Sequence, residues 1–351
     1  MNFKKIIPTL LKLVFIVALL VLIIVHKTNK PRLFVLHSYH TDYSWVIQMN
    51  EGIRRALVKH PDIIIRHHYM DLKNHTDASF KRMAETIAHR TIATWQPNVI
   101  IIADDIAQKL VGSKYVNHPT ISVVFCAVNG GVDAYGYTGA KNVTGMYERK
   151  PLNALRETAK MIAEARGFNF NDPNAKKPKV VFVCDTSESV TKELPGMQSF
   201  NWSPFEFMTP IRADNFSQWQ QCIKDVNQYA DIILVSDYRE FRLPSGEKEV
   251  IKPSAIMNWT EKNSKIPILG MSLINVEDGG MLSVYTSGYE QGEVSGSMAV
   301  SIIKGKKGSD IPHESTEQFL VSVRESTMEQ RNLPIPAIYE AFARAMNTYY
   351  E

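Results

Sequence analysis

Residues 99–105 have the sequence Val-Ile-Ile-Ile-Ala-Asp-Asp, an apolar run that ends abruptly in two acids. The same pattern recurs at 180–185, 232–237 and 268–272, where a run rich in Val, Ile and Leu meets a small polar or acidic residue. Short apolar runs without alternation are typical of parallel strands that helices cover on both faces. In open α/β sheets, ligands bind beyond the carboxyl ends of the strands. The pattern therefore predicts a pocket lined by polar residues at strand ends.

Strand-like and helix-like segments alternate along most of the chain. Between Phe80 and Trp95, apolar residues recur at three- and four-residue spacing, which is typical of an amphipathic helix, and Pro97 ends it. Predicted strands lie at 33–36, from 63, at 99–103, 121–125, 179–184, 207–211, 232–236 and 268–269, and predicted helices at 45–59, 80–95, 151–165, 216–229 and 254–263. Short connections in such an alternation indicate right-handed βαβ units on a parallel sheet. A chain of 351 residues is too long for one typical core, so we predict two lobes.

The N-terminus carries a predicted membrane segment. Lys4 and Lys5 precede the apolar stretch Ile6–Val25, and no small-x-small cleavage site follows it. We predict a cytoplasmic tail at 1–5, a signal anchor (a transmembrane helix) at 6–25 and a linker at 26–31. This places a single-pass protein in the inner (cytoplasmic) membrane, with its binding domain in the periplasm. The alternative is a periplasmic protein released by signal cleavage, because the uninterrupted apolar part at 13–25 is shorter than a full span.

Charge and cysteine content exclude two common classes of protein. The chain has 40 Lys and Arg against 36 Asp and Glu, and three of those lysines lie among the first 25 residues. The rest of the chain is close to neutral, which argues against a nucleic-acid-binding surface. The widely spaced Cys126, Cys184 and Cys222 form neither a disulfide framework nor a zinc motif.

Four stretches carry a resemblance to a known family. They are Leu-His-Ser-Tyr-His at 36–40, Pro-Asn-Val-Ile at 97–100 with Asn-Val-Thr-Gly at 142–145, Ile-Pro-Ile-Leu-Gly-Met-Ser at 266–272, and Tyr-Glu-Gln-Gly at 289–292 with Asp-Ile-Pro at 310–312. In this order and spacing, the chain resembles the substrate-binding proteins of ABC transporters, in the periplasmic-binding protein type I superfamily. The resemblance extends from Arg32 to the region of Pro334.

The resemblance implies an α/β fold of two Rossmann-like lobes joined by a three-crossover hinge, with ligand enclosed between them. The first lobe would comprise 32–148 plus 287–312, and the second 149–286 plus 313–351. A helix at 289–304 would return the chain to the first lobe. Gly292 and Gly296, at four-residue spacing, would let this helix approach its neighbour closely. Trp45 and Tyr289 have two interpretations, stacking on a ligand ring and ordinary packing.

The positions that match the family's ligand contacts lie at strand ends. They are Ser38, Tyr39, His40, Asp104, Asp105 and Asn129 from the first lobe, and Asp185, Asp237 and Ser272 from the second. The family commonly has Thr or Ser in place of Asp104 and Asp105, and Asn in place of Asp185. Three acids would repel a bound carboxylate, so we predict a small-molecule ligand that carries an amine or another cation. Asp105 and Asp185 have a second interpretation as helix N-caps, a position that favours Asp.

Motifs for catalysis or metal binding are weak. The sequence has no Gly-x-Ser-x-Gly elbow and no Gly-rich dinucleotide fingerprint. His67 and His68 are adjacent in a predicted strand and face opposite ways, which disfavours a metal site with His37 and His40. We therefore predict a protein that is not an enzyme and uses no cofactor or metal.

Two functions remain for a periplasmic ligand-binding chain of this kind. The leading prediction is a solute-binding protein that captures a small molecule for an ABC-type permease. The alternative is a ligand-sensing protein that signals to a membrane kinase or diguanylate cyclase, because the loop at 37–40 resembles the sensor-like branch of the family. Either function has a membrane protein as its partner, and the bilayer contacts the chain through the N-terminal segment.

Overall fold

The first part of the chain forms a parallel α/β lobe. The computed structural model describes residues 11–20, 30–172, 174–242 and 250–351. The elements of this part are β1 (Arg32–His37), α1 (Ser44–Leu57), β2 (Ile64–Tyr69), α2 (Ala78–Trp95), β3 (Val99–Ala103), α3 (Asp105–Leu110), β4 (Ser122–Val128) and β5 (Val143–Tyr147). All five residues of β3 are buried, which confirms that this unalternating apolar run is a central strand.

The second part of the chain repeats the alternation. Its elements are α4 (Leu152–Ala165), β6 (Lys179–Asp185), α5 (Glu188–Ser199), β7 (Glu206–Phe207), β8 (Ile211–Ala213), α6 (Phe216–Val226), β9 (Ile232–Val235), α7 (Pro253–Asn263), β10 (Ile268–Gly270), α8 (Leu273–Glu277) and β11 (Leu282–Thr286). The predicted single strand at 207–211 is wrong, because β7 and β8 pair with opposite ends of β6. Pro210 lies between them and has no N–H to donate to a continuous ladder.

The last part of the chain contributes to both sheets. Its elements are α9 (Gly288–Ile303), β12 (Glu314–Ser315), β13 (Phe319–Arg324), α10 (Glu325–Gln330), α11 (Ala337–Ala345) and β14 (Tyr349–Tyr350). The first sheet has the order β12-β5-β4-β3-β1-β2, and the second has the order β14-β13-β11-β10-β9-β6-β7, with β8 also paired to β6. Strand β12 belongs to the first sheet, so the chain leaves that lobe just beyond the predicted boundary at 312.

The chain passes between the two sheets three times, after β5, after β11 and after β12. Gln291, fully buried near the start of α9, links these passages. Its side-chain amide donates hydrogen bonds to the carbonyl of Tyr147 at 3.0 Å and to the hydroxyl of Thr316 at 2.9 Å. Its oxygen accepts the N–H of Ala127 at 2.8 Å. One side chain therefore holds the connecting segments to the core of the first lobe.

The packing of α9 on α1 depends on glycine. A Cβ atom on Gly292 would lie 2.0 Å from the carbonyl oxygen of Met49, and one on Gly296 would lie 2.8 Å from the Cβ of Ala56. Both distances are well below a normal contact between these atoms. The prediction that these glycines allow a close helix approach is confirmed.

The predicted membrane anchor at 6–25 lies only partly within the described residues. Residues 11–20 are helical and exposed, and the remainder of the predicted anchor lies outside the described ranges. Among the residues that the structure does describe, no helix combines the length and apolar character required to span a membrane.

His37, at the end of β1, makes stability depend on pH. The ring is fully buried and shares a 2.9 Å hydrogen bond with Asn50, and burial lowers its pKa from 6.5 to about 4. The folded protein therefore binds this proton less readily than the unfolded chain does. Its contribution to stability is complete above the unfolded pKa and is lost as the pH falls towards the folded pKa.

We expect wild type to lose about 2–3 kcal/mol more unfolding free energy than His37→Phe between about pH 7 and pH 4.5. Urea unfolding of both proteins at the two pH values measures this difference. The comparison isolates the histidine because the other titrating groups are common to both proteins. Equal losses in the two proteins would contradict the assignment.

Candidate functional site

A narrow cleft lies where the carboxyl ends of the strands of the two lobes face each other. Its volume is about 60 Å³, room for roughly four to six water molecules at about 10–15 Å³ each. The first lobe contributes Tyr39, Tyr43, Trp45, Lys73, Asp104 and Asn129, and the segment after β5 contributes Glu148 and Lys150. The second lobe contributes Ser189, Glu193, Ser236, Asp237, Met271, Ser272, Ile274, Tyr285 and Thr286. The structure thus brings together five of the predicted residues, namely Tyr39, Asp104, Asn129, Asp237 and Ser272.

Two predicted residues of the first lobe's opening loop do not line the cleft. Ser38 is buried and structural, because its hydroxyl donates to the carbonyl of Ala103 at 2.8 Å and accepts the N–H of Ala107 at 3.2 Å. His40 lies beside Asp42 and Asp71, with ring nitrogens 3.7 Å and 3.6 Å from their carboxylate oxygens.

Asp105 and Asp185 also lie outside the cleft lining, and neither is an N-cap. The residue before α3 is Asp104, and Asp105 instead accepts the N–H groups of Asn129 at 3.0 Å and Gly130 at 3.3 Å. Asp185 accepts the N–H and hydroxyl of Ser187, which is the N-cap position of α5, at 3.0 Å and 2.5 Å. Both carboxylates therefore shape loops next to the cleft.

Asp104 has the properties of a ligand contact. Its backbone has φ 69° and ψ 150°, a conformation that is costly for a residue with a Cβ and that concentrates at functional sites. Its side chain is buried, and Oδ2 has no hydrogen-bond partner among the described residues. Burial, and after it the charge of Glu148, raises the pKa of Asp104 well above its ordinary value. A cation in the cleft would stabilise the charged form and supply the missing partner.

Lys73 and Asp237 form an ion pair between the lobes. The Lys73 ammonium lies 2.6 Å from Oδ2 of Asp237, and the two side chains are 10% and 9% exposed. The same ammonium lies 4.8 Å from the ring centre of Tyr39 and 5.2 Å from that of Tyr43. Burial alone would lower the pKa of Lys73, but Asp237 and the two tyrosines raise it well above its ordinary value. Lys73 in turn holds the pKa of Asp237 below its ordinary value against the effect of burial.

A second ion-pair group lies at the hinge side of the cleft. Lys150 contacts Glu148 and Glu193 at 3.2 Å each. Glu193 also accepts the hydroxyl of Ser236 at 2.8 Å, and Glu148 accepts that of Thr286 at 3.1 Å. The described lining therefore has four carboxyl groups against two lysines. The lysines pair with three of the carboxyl groups, and Asp104 is the fourth.

Aromatic side chains form much of the remaining wall. Tyr39, Tyr43, Trp45 and Tyr285 all line the cleft, and the first two pack edge to face with ring centres 5.4 Å apart. Aromatic faces attract cations within about 6 Å. Trp45 is thus placed to contact a ligand, whereas the Tyr289 hydroxyl accepts a hydrogen bond from Arg55 away from the cleft.

The histidines of the first sheet are divided between its two faces. The His67 ring stacks with His37 at 6.2 Å, and the His68 ring stacks with Phe34 on the other face of the sheet at 6.0 Å. Within the described ranges, no group of three or more His, Cys, Asp or Glu side chains is arranged to hold a metal ion.

Comparisons with known proteins agree with the fold described above. Residues 246–343 match the family model for ABC transporter substrate binding protein. The predicted resemblance is confirmed. A conserved domain protein from Vibrio cholerae is 16% identical, with a TM-score of 0.65 over 92% of this chain and 100% of that one. An ABC domain from Streptococcus pneumoniae in complex with L-Trp is 15% identical, with a TM-score of 0.65 over 90% and 98% of the two chains.

The chain therefore has the solute-binding-protein fold. A chain from the complex of the TorS sensor domain with TorT also has this fold, at 13% identity and a TM-score of 0.52 over 87% of this chain and 98% of that one. No curated protein matches the sequence at a significant level. At these identities, the solved structures establish the fold of this chain and leave its ligand to be inferred from the cleft.

Several cleft residues of this solute-binding fold do not follow an apolar run in the sequence. Lys73 lies in the loop beyond β2, Glu148 and Lys150 lie in the first passage between the lobes, and Glu193 lies on α5. The resemblance gave a partial indication of Glu148 and Lys150, because it implies a boundary between the lobes at 148–149. Nothing in the local sequence marks Glu193.

Proposed function

We propose that this chain is an extracytoplasmic solute-binding protein that encloses a small amine-bearing or otherwise cationic molecule between its lobes. It would deliver the molecule unchanged to an ABC-type permease. The match to the substrate-binding family model and the cleft between the lobes support this function. The observation that carries the ligand class is the buried, unpartnered Oδ2 of Asp104.

The balance of charge favours a cation over other ligands. A buried carboxylate oxygen without a partner is unfavourable, and an ammonium within hydrogen-bond distance of Oδ2 removes that penalty. The neighbouring aromatic wall adds cation–π attraction. An anionic ligand would face the surplus of carboxyl groups, and a neutral one would supply no charge to stabilise the ionised form of Asp104.

A thermal-shift screen of the full chain with amines, amino acids, nucleosides and sugars tests the proposal. We expect amine-bearing molecules to stabilise the protein, by about 2.7 kcal/mol at a concentration one hundred times Kd. Asp104→Asn should weaken their binding by about tenfold to a hundredfold, because it removes the charge that pairs with the ammonium. The exposed acid Asp62 provides a matched control, Asp62→Asn, which should bind as wild type does. Binding of neutral or anionic molecules without amines would contradict the ligand class.

We also propose that the segment at 6–25 anchors the protein in the inner membrane, with the lobes in the periplasm. Lys4 and Lys5 before the apolar stretch and the missing cleavage site after it support an uncleaved anchor. Signal cleavage, which would leave a free periplasmic protein, is the alternative. The partner on this proposal is a membrane permease.

A sensory role is the second candidate function. The fold shared with a chain of the TorS–TorT complex and the loop at 37–40 favour it. The closed, ligand-bound form would then act on a membrane kinase or diguanylate cyclase. Co-purification of the full chain from native membranes separates the two roles, since a transporter brings a permease and an ATPase, whereas a sensor brings a signalling enzyme.

A further inference from the structure

The pole of the first lobe opposite the cleft is a basic surface. A shallow depression of about 980 Å³ lies there, lined by Pro31 and by residues 117–122, 139, 141–142, 302–303 and 305–308 among others. These segments precede strands of the first sheet or follow α9, so they meet at the amino ends of the strands. We name this surface the basal face.

Hydrogen bonds make the basal face one continuous surface. Ile64 donates its N–H to the carbonyl of Pro31 at 2.8 Å, and the N–H of Asn117 donates to Oδ1 of Asn142 at 2.6 Å. Ser309 donates its N–H to the carbonyl of Lys141 at 3.2 Å. The loop after α9 therefore lies against the loop before β5.

Exposed lysines crowd this surface, and one of them, Lys306, also borders a neighbouring depression lined by Glu290, Glu293, Glu314 and Glu317. The exposed lysines of these loops and their neighbours are Lys59, Lys114, Lys141, Lys304, Lys306 and Lys307, against the exposed acids Asp62 and Asp310. None of these six lysines makes an ion pair with another residue in the part of the chain that the structure describes. A cation after the end of α9 complements the helix dipole, which explains Lys304 but not Lys141 or Lys307.

The pole of the second lobe provides a contrast. There Lys176 lies 3.9 Å from Asp231, and Lys179 lies 3.8 Å from Glu206. Only part of the lysine charge is paired there, because the exposed Lys262 and Lys265 make no ion pair in the described part of the chain. The two poles therefore differ in degree, with six such lysines on and around the basal face.

The chain enters the first lobe at the basal face, directly after its N-terminal segment. Pro31 lies directly before β1, and Lys30 is five positions beyond Val25, the end of the apolar stretch. Five residues span at most about 18 Å. If the segment at 6–25 is anchored as proposed, the basal face must lie close to the bilayer surface.

We propose that the basal face binds the anionic lipid headgroups of the membrane to which the chain is anchored. This rests on the anchoring part of the proposed function and adds a defined orientation, with the first lobe seated on the bilayer and the cleft turned away from it. Clustered lysines near a bilayer are attracted by anionic lipids over roughly a Debye length. The depression between Lys141, Lys306 and Lys307 gives a headgroup phosphate a place among several ammonium groups.

Lysine acylation of the full chain in lipid nanodiscs tests the inference. The discs contain phosphatidylcholine alone or phosphatidylcholine mixed with phosphatidylglycerol. We expect acylation of Lys141, Lys306 and Lys307 to slow about threefold or more in the anionic discs and to recover at high salt. Lys262 and Lys265, exposed at the other pole, should react equally in both.

Variants separate lipid binding from other causes of protection. The triple variant K141Q/K306Q/K307Q should lose the protection of the remaining basal lysines, Lys59 and Lys114, whereas K262Q/K265Q should keep it. Equal acylation in the two kinds of disc would overturn the proposal. Protection in native membranes but not in protein-free anionic discs would assign the face to an acidic protein and would also overturn it.

Flotation of the chain with the lipids distinguishes failure of the anchor from failure of this inference. A chain that does not float with neutral vesicles lacks the anchor. The inference is then decided by acylation with added phosphatidylglycerol vesicles, where protection of the three lysines supports it and unchanged acylation rejects it.

Discussion

Gly292→Ala is expected to destabilise the protein by about 2–3 kcal/mol, although alanine is the better helix former. The added Cβ would lie 2.0 Å from the backbone oxygen of Met49, an atom that cannot move without shifting α1. The helices would have to separate, and the contact between them is the main packing of α9 on the first lobe. Urea unfolding at equilibrium measures the loss.

Gly196→Ala is the matched control for this prediction. Gly196 also lies within a helix, α5, but a Cβ there would have no heavy atom within 4 Å apart from its chain neighbours and the backbone of its own helix. Alanine should therefore be neutral or stabilising by up to about 1 kcal/mol at that position. Similar effects of the two substitutions would show that helix propensity, rather than close packing, sets the outcome at Gly292.

Asp237→Asn is expected to open the cleft in the absence of ligand. The substitution keeps an oxygen for the N–H groups of Tyr238 and Arg239, at 2.9 Å and 3.0 Å, but removes the charge that pairs with Lys73. An unpaired buried charge costs about 3–5 kcal/mol. We call the described conformation, in which the lobes meet and bury Lys73, the closed form. Only this form bears the cost, because separation of the lobes returns Lys73 to water. The population of the closed form relative to the open form should therefore fall about a hundredfold or more.

Small-angle scattering of the ligand-free full chain measures this change as a larger radius of gyration. The double variant Lys73→Met with Asp237→Asn removes both charges and should recover the compact form. An unchanged radius for Asp237→Asn alone would mean that the ion pair does not hold the lobes together. The Lys192–Asp105 contact, at 3.0 Å, also joins the lobes and remains in both variants.

Apolar runs predict most of the strands correctly, because a strand that is buried on both faces consists of consecutive apolar residues. The run that ends at Asp104 became the fully buried strand β3 and brought that carboxyl group to the cleft. The split between β7 and β8 was missed because the run at 207–211 has strand-like composition, and only pairing with β6 shows the break at Pro210.

The cleft was predictable only where strand ends supply it. The sequence predicts Asp105 in the site together with Asp104. The positive φ of Asp104 instead turns the chain, so that the Asp105 carboxylate accepts the N–H groups of Asn129 and Gly130. Lys73 and Glu193 reach the cleft from a loop and a helix. Their positions depend on how the two lobes meet, which no local pattern encodes.

The buried amide of Gln291 has a consequence for how the lobes can move. It joins Ala127 of β4 to Tyr147 and Thr316, which border two of the passages between the lobes, by hydrogen bonds of 2.8–3.0 Å, and Gln291 itself follows the third passage. All four residues lie on the first-lobe side of the passages, so these bonds hold together the three points at which the chain meets that lobe. A change in the angle between the lobes is therefore expected to come from bending of the passages beyond these points, towards the second lobe.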